Sequence, residues 1–313
     1  MNSIVKKVIV TGATGFVGSW VTKELLANGI EVIAVVRENS HNLEKLQGQN
    51  VKIVFCNLSN MSSLPQLIED RDIDTVYHFG WQGVSDEDIR NADIQMENVK
   101  ATLDLIKVMP DLGSRTFIGA GSLHEIESFY DMKEDKVIKN LGYMYKAAKI
   151  SAHWMGKALA GSMGIRFFWP IISNTFGAGE NSGRLINTIV RKVLKGEVPA
   201  LSAGKQNYDF VYISDVARAF YLIGEKGIDG TNYFIGSGEA KTLREYLEIV
   251  GSMANKTNNS NIALGFGEIK SNVVYLPEEV FDISTLVRDT GYAPQISFEE
   301  GVAQTVNWIK NNL

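Results

Sequence analysis

The sequence predicts an α/β fold: a doubly wound parallel sheet over residues 1–176, with a smaller α/β domain over 177–313 whose segments are interleaved into the first. Three observations carry that expectation. Short β-branched runs alternate with longer helical patterns through the first 175 residues, the rhythm of strand, helix and parallel strand. A glycine-rich turn, Gly12-Ala13-Thr14-Gly15, joins the first run to the first helical pattern. After Phe176 the alternation loosens, with no Pro- or Ser-rich linker of the kind that tethers a swinging module.

Each element has a local reason. Val8-Ile9-Val10 is too short and too uniformly apolar for a surface helix, so it reads as a buried strand. A helix follows from about Phe16 to Asn28, with Phe16, Val17, Trp20, Val21 and Leu25 placed on its inner face and Gly29 ending it. Val32 to Val36 and Val51 to Phe55 are the second and third strands. Ser62-Ser63-Leu64-Pro65 opens a further helix, with proline tolerated in its first turn. Thr75 to Phe79, Thr116 to Ile118 and Ile165 to Trp169 are strands, and helices span about Ile94 to Met109 and Gly142 to Gly161. Beyond Phe176, helices are expected near Arg184 to Lys195, Leu243 to Ala254 and Phe298 to Asn311. Short strands are expected near Phe210 to Ile213 and Tyr233 to Ile235.

Composition narrows the function. With 45% apolar and 21% charged residues over 313 positions, the chain has ample material for a core and is not disordered. A net charge of −5 gives no general affinity for nucleic acid or anionic membrane. Cys56 is the only cysteine, which excludes an intrachain disulfide and a cysteine-based zinc site. His41, His78, His124 and His153 lack metal-ligand spacing, so no metal is expected. The most apolar run, Ile165 to Ile172, is broken by Arg166 and Pro170, and no secretion signal precedes Val8. A cytoplasmic protein is the expectation.

Thr11 to Gly18 (TGATGFVG) follows a strand and opens a helix. One glycine permits the sharp turn, one lets backbone approach a pyrophosphate, and one brings helix against strand. Backbone N–H groups at the helix start and the helix dipole then favour phosphate. Gly12, Thr14, Gly15, Phe16, Val17 and Gly18 are therefore candidates for dinucleotide binding in a Rossmann-type domain.

The Gly-x-x-Gly-x-x-Gly spacing resembles the TGxxGxxG signature of the extended short-chain dehydrogenase/reductase family, whose nucleotide-sugar branch includes epimerases, dehydratases and ketoreductases. The similarity runs along almost the whole chain. Tyr145 and Lys149 match the family's Tyr-x-x-x-Lys, and Ser122, after the fifth strand, matches its catalytic Ser/Thr. Asn98 with Thr102 resembles the Asn-Val-x-x-Thr helix. Asn174 in Pro170 to Gly177 (PIISNTFG) matches the Asn ahead of a Tyr-Gly pair, with Phe176 in place of Tyr. Phe281 to Ile296 resembles the family's terminal signature.

The resemblance implies further roles. Asn57 and Leu58 stand where the family cradles adenine, and Phe79, Gly80 and Trp81 where small residues often line the cofactor. Pro170, Asn98, Tyr145 and Lys149 complete the cofactor candidates. The acidic residue that would bind the adenosine ribose falls on Val36, and Arg37 beside it suits the 2′-phosphate, so NADP is favoured over NAD. Tyr208 replaces the Arg that contacts a nucleotide-sugar diphosphate, and Arg184 is placed to supply charge. With His124 and Asn174 these form the substrate set. The family's homodimer would use the helices around 94–109 and 142–161, with Trp154, Met155 and Leu159 available for contact.

Ser122-Leu123-His124 replaces the Thr-Asp-Glu triplet of the family's dehydratases, which argues against elimination of water. Gly179 stands where 3,5-epimerase-reductases carry a second base. What remains is reduction of a 4-keto-6-deoxy nucleotide sugar, with Tyr145 as proton donor, Lys149 lowering its pKa and Ser122 orienting the substrate. A nucleotide-sugar 4-epimerase with tightly held NAD is the alternative within the family. A non-catalytic dinucleotide sensor is the alternative of another class, although such sensors typically lack the Tyr or the Lys that this chain keeps.

Overall fold

Val8, Ile9 and Val10 are fully buried in β1 (Lys7–Thr11), the central position that a uniformly apolar run demands. The computed structural model describes residues 5–84, 87–132, 141–270 and 274–312. They form two compact units: Met1–Ile172 with Ala217–Tyr233 and Thr285–Tyr292, and Ser173–Val216 with Phe234–Ser284 and Ala293–Leu313.

In the first unit, α1 (Phe16–Ala27) leads to β2 (Glu31–Val36) and β3 (Val51–Phe55). The buried line of α1 is Gly18, Ser19, Val21, Thr22 and Leu25. Phe16, Val17 and Trp20, expected on the inner face, are only half-buried, because the helix lays its small residues against the glycine turn. The helix expected from Ser62 shrinks to the single turn α2 (Leu64–Leu67), preceded by a 3-10 stretch. Then come β4 (Thr75–His78), α3 (Ala92–Val108), β5 (Thr116–Gly119), the two-residue β6 (Gly121–Ser122) and α4 (Leu123–Met132). The last of these is a helix that the hydrophobic pattern does not announce. The long α5 (Tyr143–Ser162) precedes β7 (Arg166–Phe168) and β8 (Ile171–Ile172), which pairs with β6.

Six strands make one all-parallel sheet in the order β3-β2-β1-β4-β5-β7. The order reverses between β1 and β4, and such a reversal opens a crevice at the carboxyl ends of the strands. One face buries Ile9, Ile33, Val76 and Phe117 under α3 and α5, which contribute Leu105, Ile106, Ala148 and Ala152.

The second unit begins with β9 (Asn174–Phe176), α6 (Leu185–Leu194), β10 (Ala200–Leu201), β11 (Asn207–Tyr208) and β12 (Phe210–Tyr212), which pairs with β9. Helix α7 (Ile213–Lys226), not among the expected helices, carries the chain back to the first unit. There Phe220 meets Phe79 edge-on at 4.8 Å. The chain continues through β13 (Phe234–Ile235), β14 (Lys241–Thr242), α8 (Leu243–Asn258), β15 (Gly265–Phe266), α9 (Ser284–Thr290) and α10 (Phe298–Lys310). Helices α6, α8 and α10 pack on one another. Phe176, Phe210, Tyr246 and Phe298 form an aromatic cluster in this unit, with Tyr246 and Phe298 4.5 Å apart.

Candidate active site

The glycine turn does what its spacing foretells. Gly12 has φ +67°, and a Cβ there would lie 2.6 Å from the Gly80 nitrogen and 2.7 Å from the Phe79 carbonyl carbon, at the end of β4. Gly18 lies against the turn itself: a Cβ on it would stand 2.2 Å from the Gly12 oxygen. Gly15 precedes α1 with no side-chain cap and no acidic residue in the first turn, which leaves the helix start suited to an anion. Thr14 braces the turn through its hydroxyl, 2.9 Å from that of Ser40.

A cleft of about 410 Å³ opens here, lined by Gly12, Thr14, Gly15, Arg37, Leu58, Phe79, Gly80 and Trp81 among others. Cys56 also lines it, whereas Asn57 between Cys56 and Leu58 is exposed. Phe16, Val17 and Gly18 form the first turn of α1. A dinucleotide fits these residues: the two closest backbone approaches admit no side chain, and the cleft runs from the glycine turn to Arg37.

Asn98 is buried and spends its amide on the loop, accepting the Gln82 N–H (2.8 Å) and donating to the Gln82 carbonyl (2.9 Å). It thereby holds Gln82, which lines the cleft. Trp81, where small residues were expected, turns its ring onto Lys149, with the ammonium 3.6 Å from the ring centre, while its indole N–H donates to Gln95 at 3.0 Å. Pro170 is buried, and its carbonyl accepts the Gly121 N–H at 2.9 Å.

The expected catalytic residues converge in the first unit. Ser122 precedes α4 and caps it reciprocally: its Oγ accepts the His124 N–H (3.3 Å), and its own N–H donates to Glu125 (2.9 Å). Tyr145 and Lys149 lie one turn apart on α5. The Tyr145 ring meets His124 edge-on at 5.9 Å and Trp81 edge-on at 6.0 Å, with the Lys149 ammonium 5.9 Å from its centre.

Lys149 is buried and donates to the Ala120 carbonyl at 3.1 Å. Burial draws its pKa down to about 7, against the opposing pull of the Glu125 carboxylate. The same ammonium lies within 5.9 Å of the Tyr145 ring centre.

The histidines divide by environment. His124 is half-exposed, with Nδ1 2.6 Å from Glu127. Burial pushes the Glu127 carboxyl up, but the His124 hydrogen bond and the Lys146 charge outweigh it and hold it at about 2. His78 is fully buried, and desolvation, helped by the Lys149 charge, presses its imidazole down to about 3. It bridges Thr11 (2.7 Å) and Thr102 (3.1 Å) as a structural tie. His153 donates its Nδ1–H at 2.9 Å to the buried Glu125 carboxylate and stacks on Trp169. Neither Glu125 nor His153 was a sequence candidate; the Ser122-x-x-Glu125 capping spacing was the available signal.

Asn174, Arg184 and Tyr208 belong to the second unit. The Asn174 amide donates to the Asp209 carbonyl at 3.3 Å, so that part of it serves the backbone rather than a ligand. Exposed Arg184 precedes α6 and reaches the Thr175 carbonyl at 3.4 Å, and Tyr208 stacks on Phe210 at 5.5 Å. Among the described residues, no group of three or more His, Cys, Asp or Glu is arranged to hold a metal, and no helix is long and apolar enough to cross a membrane.

A model of the NAD dependent epimerase/dehydratase family matches residues 8–236. The chain is 23% identical to a dTDP-glucose 4,6-dehydratase of Neisseria meningitidis serogroup B, over 98% of this chain and 94% of that protein. It shares its fold with a UDP-glucose 4-epimerase of Thermotoga maritima solved with UDP-glucose (TM-score 0.81, 22% identity, 98% and 99% of the two chains). It also shares it with the enzyme WbmF of Bordetella bronchiseptica in complex with NAD+ (TM-score 0.79, 20% identity, 99% and 93%).

Proposed function

The chain belongs to the NAD-dependent epimerase/dehydratase family, a family of nucleotide-sugar enzymes, and from that premise we propose that it reduces the ketone of a 4-keto-6-deoxy nucleotide sugar. The carrying observation is the Tyr145–Lys149 turn beside Ser122, joined to the glycine-turn cleft by Trp81, which lines the cleft and touches both side chains. Tyr145 gives its phenolic proton to the carbonyl oxygen, and the Lys149 ammonium stabilises the phenolate that remains. Ser122 Oγ hydrogen-bonds the same oxygen and holds it for that transfer. The glycine turn and the cleft wall would hold a nicotinamide dinucleotide, which when bound would supply the hydride.

Elimination of water is disfavoured even though a relative is a dehydratase. Leu123 stands where that chemistry needs an acid, and it is buried as a packing residue. The second reading is 4-epimerisation, favoured by the Thermotoga maritima epimerase's fold and served by the same Tyr, Lys and Ser. Arg37 lines the cleft just beyond Val36, with no carboxylate at the end of β2, and this supports NADP over NAD despite the NAD+ in WbmF. We also assign a cytoplasmic homodimer, contacting through the exposed Met96, Trp154 and Met155 of α3 and α5.

Calorimetry with NADPH and NADH, on protein first checked for retained dinucleotide, tests the assignment. An empty site with NADPH bound at least about tenfold more tightly, and that preference lost in Arg37→Ala, is the expected result. Tightly retained NAD would replace the reductase by the epimerase.

A further inference from the structure

Glu125 and His153 take no part in the proton transfer, yet they touch the residues that do. Glu125, in the first turn of α4, is 2% exposed. Its Oε1 accepts the Ser122 N–H at 2.9 Å and the Trp169 indole N–H at 3.0 Å, and its Oε2 lies 2.9 Å from His153 Nδ1. Three partners fix the carboxylate against rotation. His153 sits one turn beyond Lys149 on α5, its ring stacked 5.6 Å from Trp169. The carboxylate thus ties the start of α4 to the turn of α5 that carries the lysine. A buried carboxylate costs free energy unless donors and nearby charge offset it, and here the three donors Ser122, Trp169 and His153 do so together.

We propose that Glu125 is a positioning residue for the reaction: clamped by His153 and Trp169, its carboxylate holds Ser122 by the backbone and supplies the countercharge that keeps Lys149 an ammonium beside Tyr145. The proposal rests on the roles given above to Ser122, Tyr145 and Lys149. The aromatic rings of Trp81 and Trp169 surround the Lys149 ammonium, at 3.6 and 5.5 Å, and exclude water from it. The titratable groups facing the cluster are Tyr145 and His153 on α5, Glu125 and His124 on α4 and His78 on β4. Of these, Glu125 is the one that favours the charged lysine. Loss of that carboxylate therefore shifts Lys149 toward its uncharged form and weakens the charge beside Tyr145.

Glu125→Gln tests this nearly isosterically. The amide oxygen still accepts from Ser122 and Trp169, and His153 meets the amide N–H by switching tautomer. The first readout needs no substrate: the Lys149 titration, followed by NMR of lysine labelled with carbon-13 at Cε, its signal identified by its loss in Lys149→Met. We expect the midpoint to fall by about one pH unit or more in Glu125→Gln. The second readout, in the assayed reaction, is a kcat at pH 7 lowered by about tenfold with KM little changed and the pH profile displaced in the same direction. A Lys149 midpoint that stays in place in folded Glu125→Gln overturns the proposal, whatever the substrate proves to be. A displaced midpoint with no turnover on any nucleotide sugar instead overturns the functional reading and leaves the positioning intact. If the Gln variant does not fold, Glu125→Asp, which withdraws the charge by one methylene, is read the same way with a smaller expected fall.

Discussion

The Lys149 ammonium lies 3.6 Å from the centre of the Trp81 ring, a residue that also lines the glycine-turn cleft. One side chain therefore covers the lysine proposed for catalysis and walls the cleft proposed for the dinucleotide. Trp81→Ala removes a cation–π contact worth about 1 kcal/mol, the Gln95 hydrogen bond and half-buried ring packing, for a total loss of about 3 kcal/mol. Trp81→Phe keeps a ring over the ammonium and should lose less than half of that. Urea unfolding of the two variants checks the ranking; equal losses would deny the ring contact its role.

Gly18→Ala sets a methyl 2.2 Å from the Gly12 carbonyl oxygen, where only backbone could yield. Gly15→Ala meets the same oxygen at 3.1 Å, which small adjustments accommodate. Dinucleotide affinity measured by calorimetry should fall by more than about tenfold in Gly18→Ala and by much less in Gly15→Ala.

The fold's first half was legible because its signals are local. β1 and β2 are continuous apolar runs, and the turn between β1 and α1 needs glycine for steric reasons that sequence spacing exposes. Helix α4 was not legible, because it buries Glu125 and Ser128 where a hydrophobic pattern expects apolar residues. Helix α7 carries a readable signal, since Ile213, Val216, Ala217, Phe220 and Ile223 recur at helical spacing and are all buried, but the adjoining apolar run Phe210 to Ile213 drew the reading to a strand alone. At the candidate site, Ser122, Tyr145 and Lys149 were singled out by their placement and their likeness to the family's motifs, and the structure sets them on β6 and α5 of the first unit. The Glu125–His153 pair was not, since charge burial depends on partners from α4, α5 and the end of β7.

Lys149 has a folded pKa of about 7, below its ordinary 10.5. The folded chain thus binds fewer protons than the unfolded one between those values, and stability rises with pH across that window. Lys149→Met removes the dependence. Wild type should therefore gain on the variant as pH climbs from 7 to 10, at on the order of 1 kcal/mol per pH unit, in parallel thermal unfolding series.

Ser122→Ala should lower kcat by about tenfold to a hundredfold and cost about 1 kcal/mol of stability, because the same hydroxyl caps α4. Tyr145→Phe should lower kcat by about a thousandfold while dinucleotide affinity stays within a fewfold of wild type. Steady-state kinetics and calorimetry on both variants separate the two roles.

The most direct test of the central claim is to follow the hydride itself. NADPH carrying deuterium at the reactive carbon, incubated with a 4-keto-6-deoxy nucleotide sugar, should yield product with deuterium on the former carbonyl carbon, and Tyr145→Phe should yield almost none. Product formed without deuterium, or interconversion of hydroxyl epimers by a dinucleotide that never leaves the protein, would contradict the account.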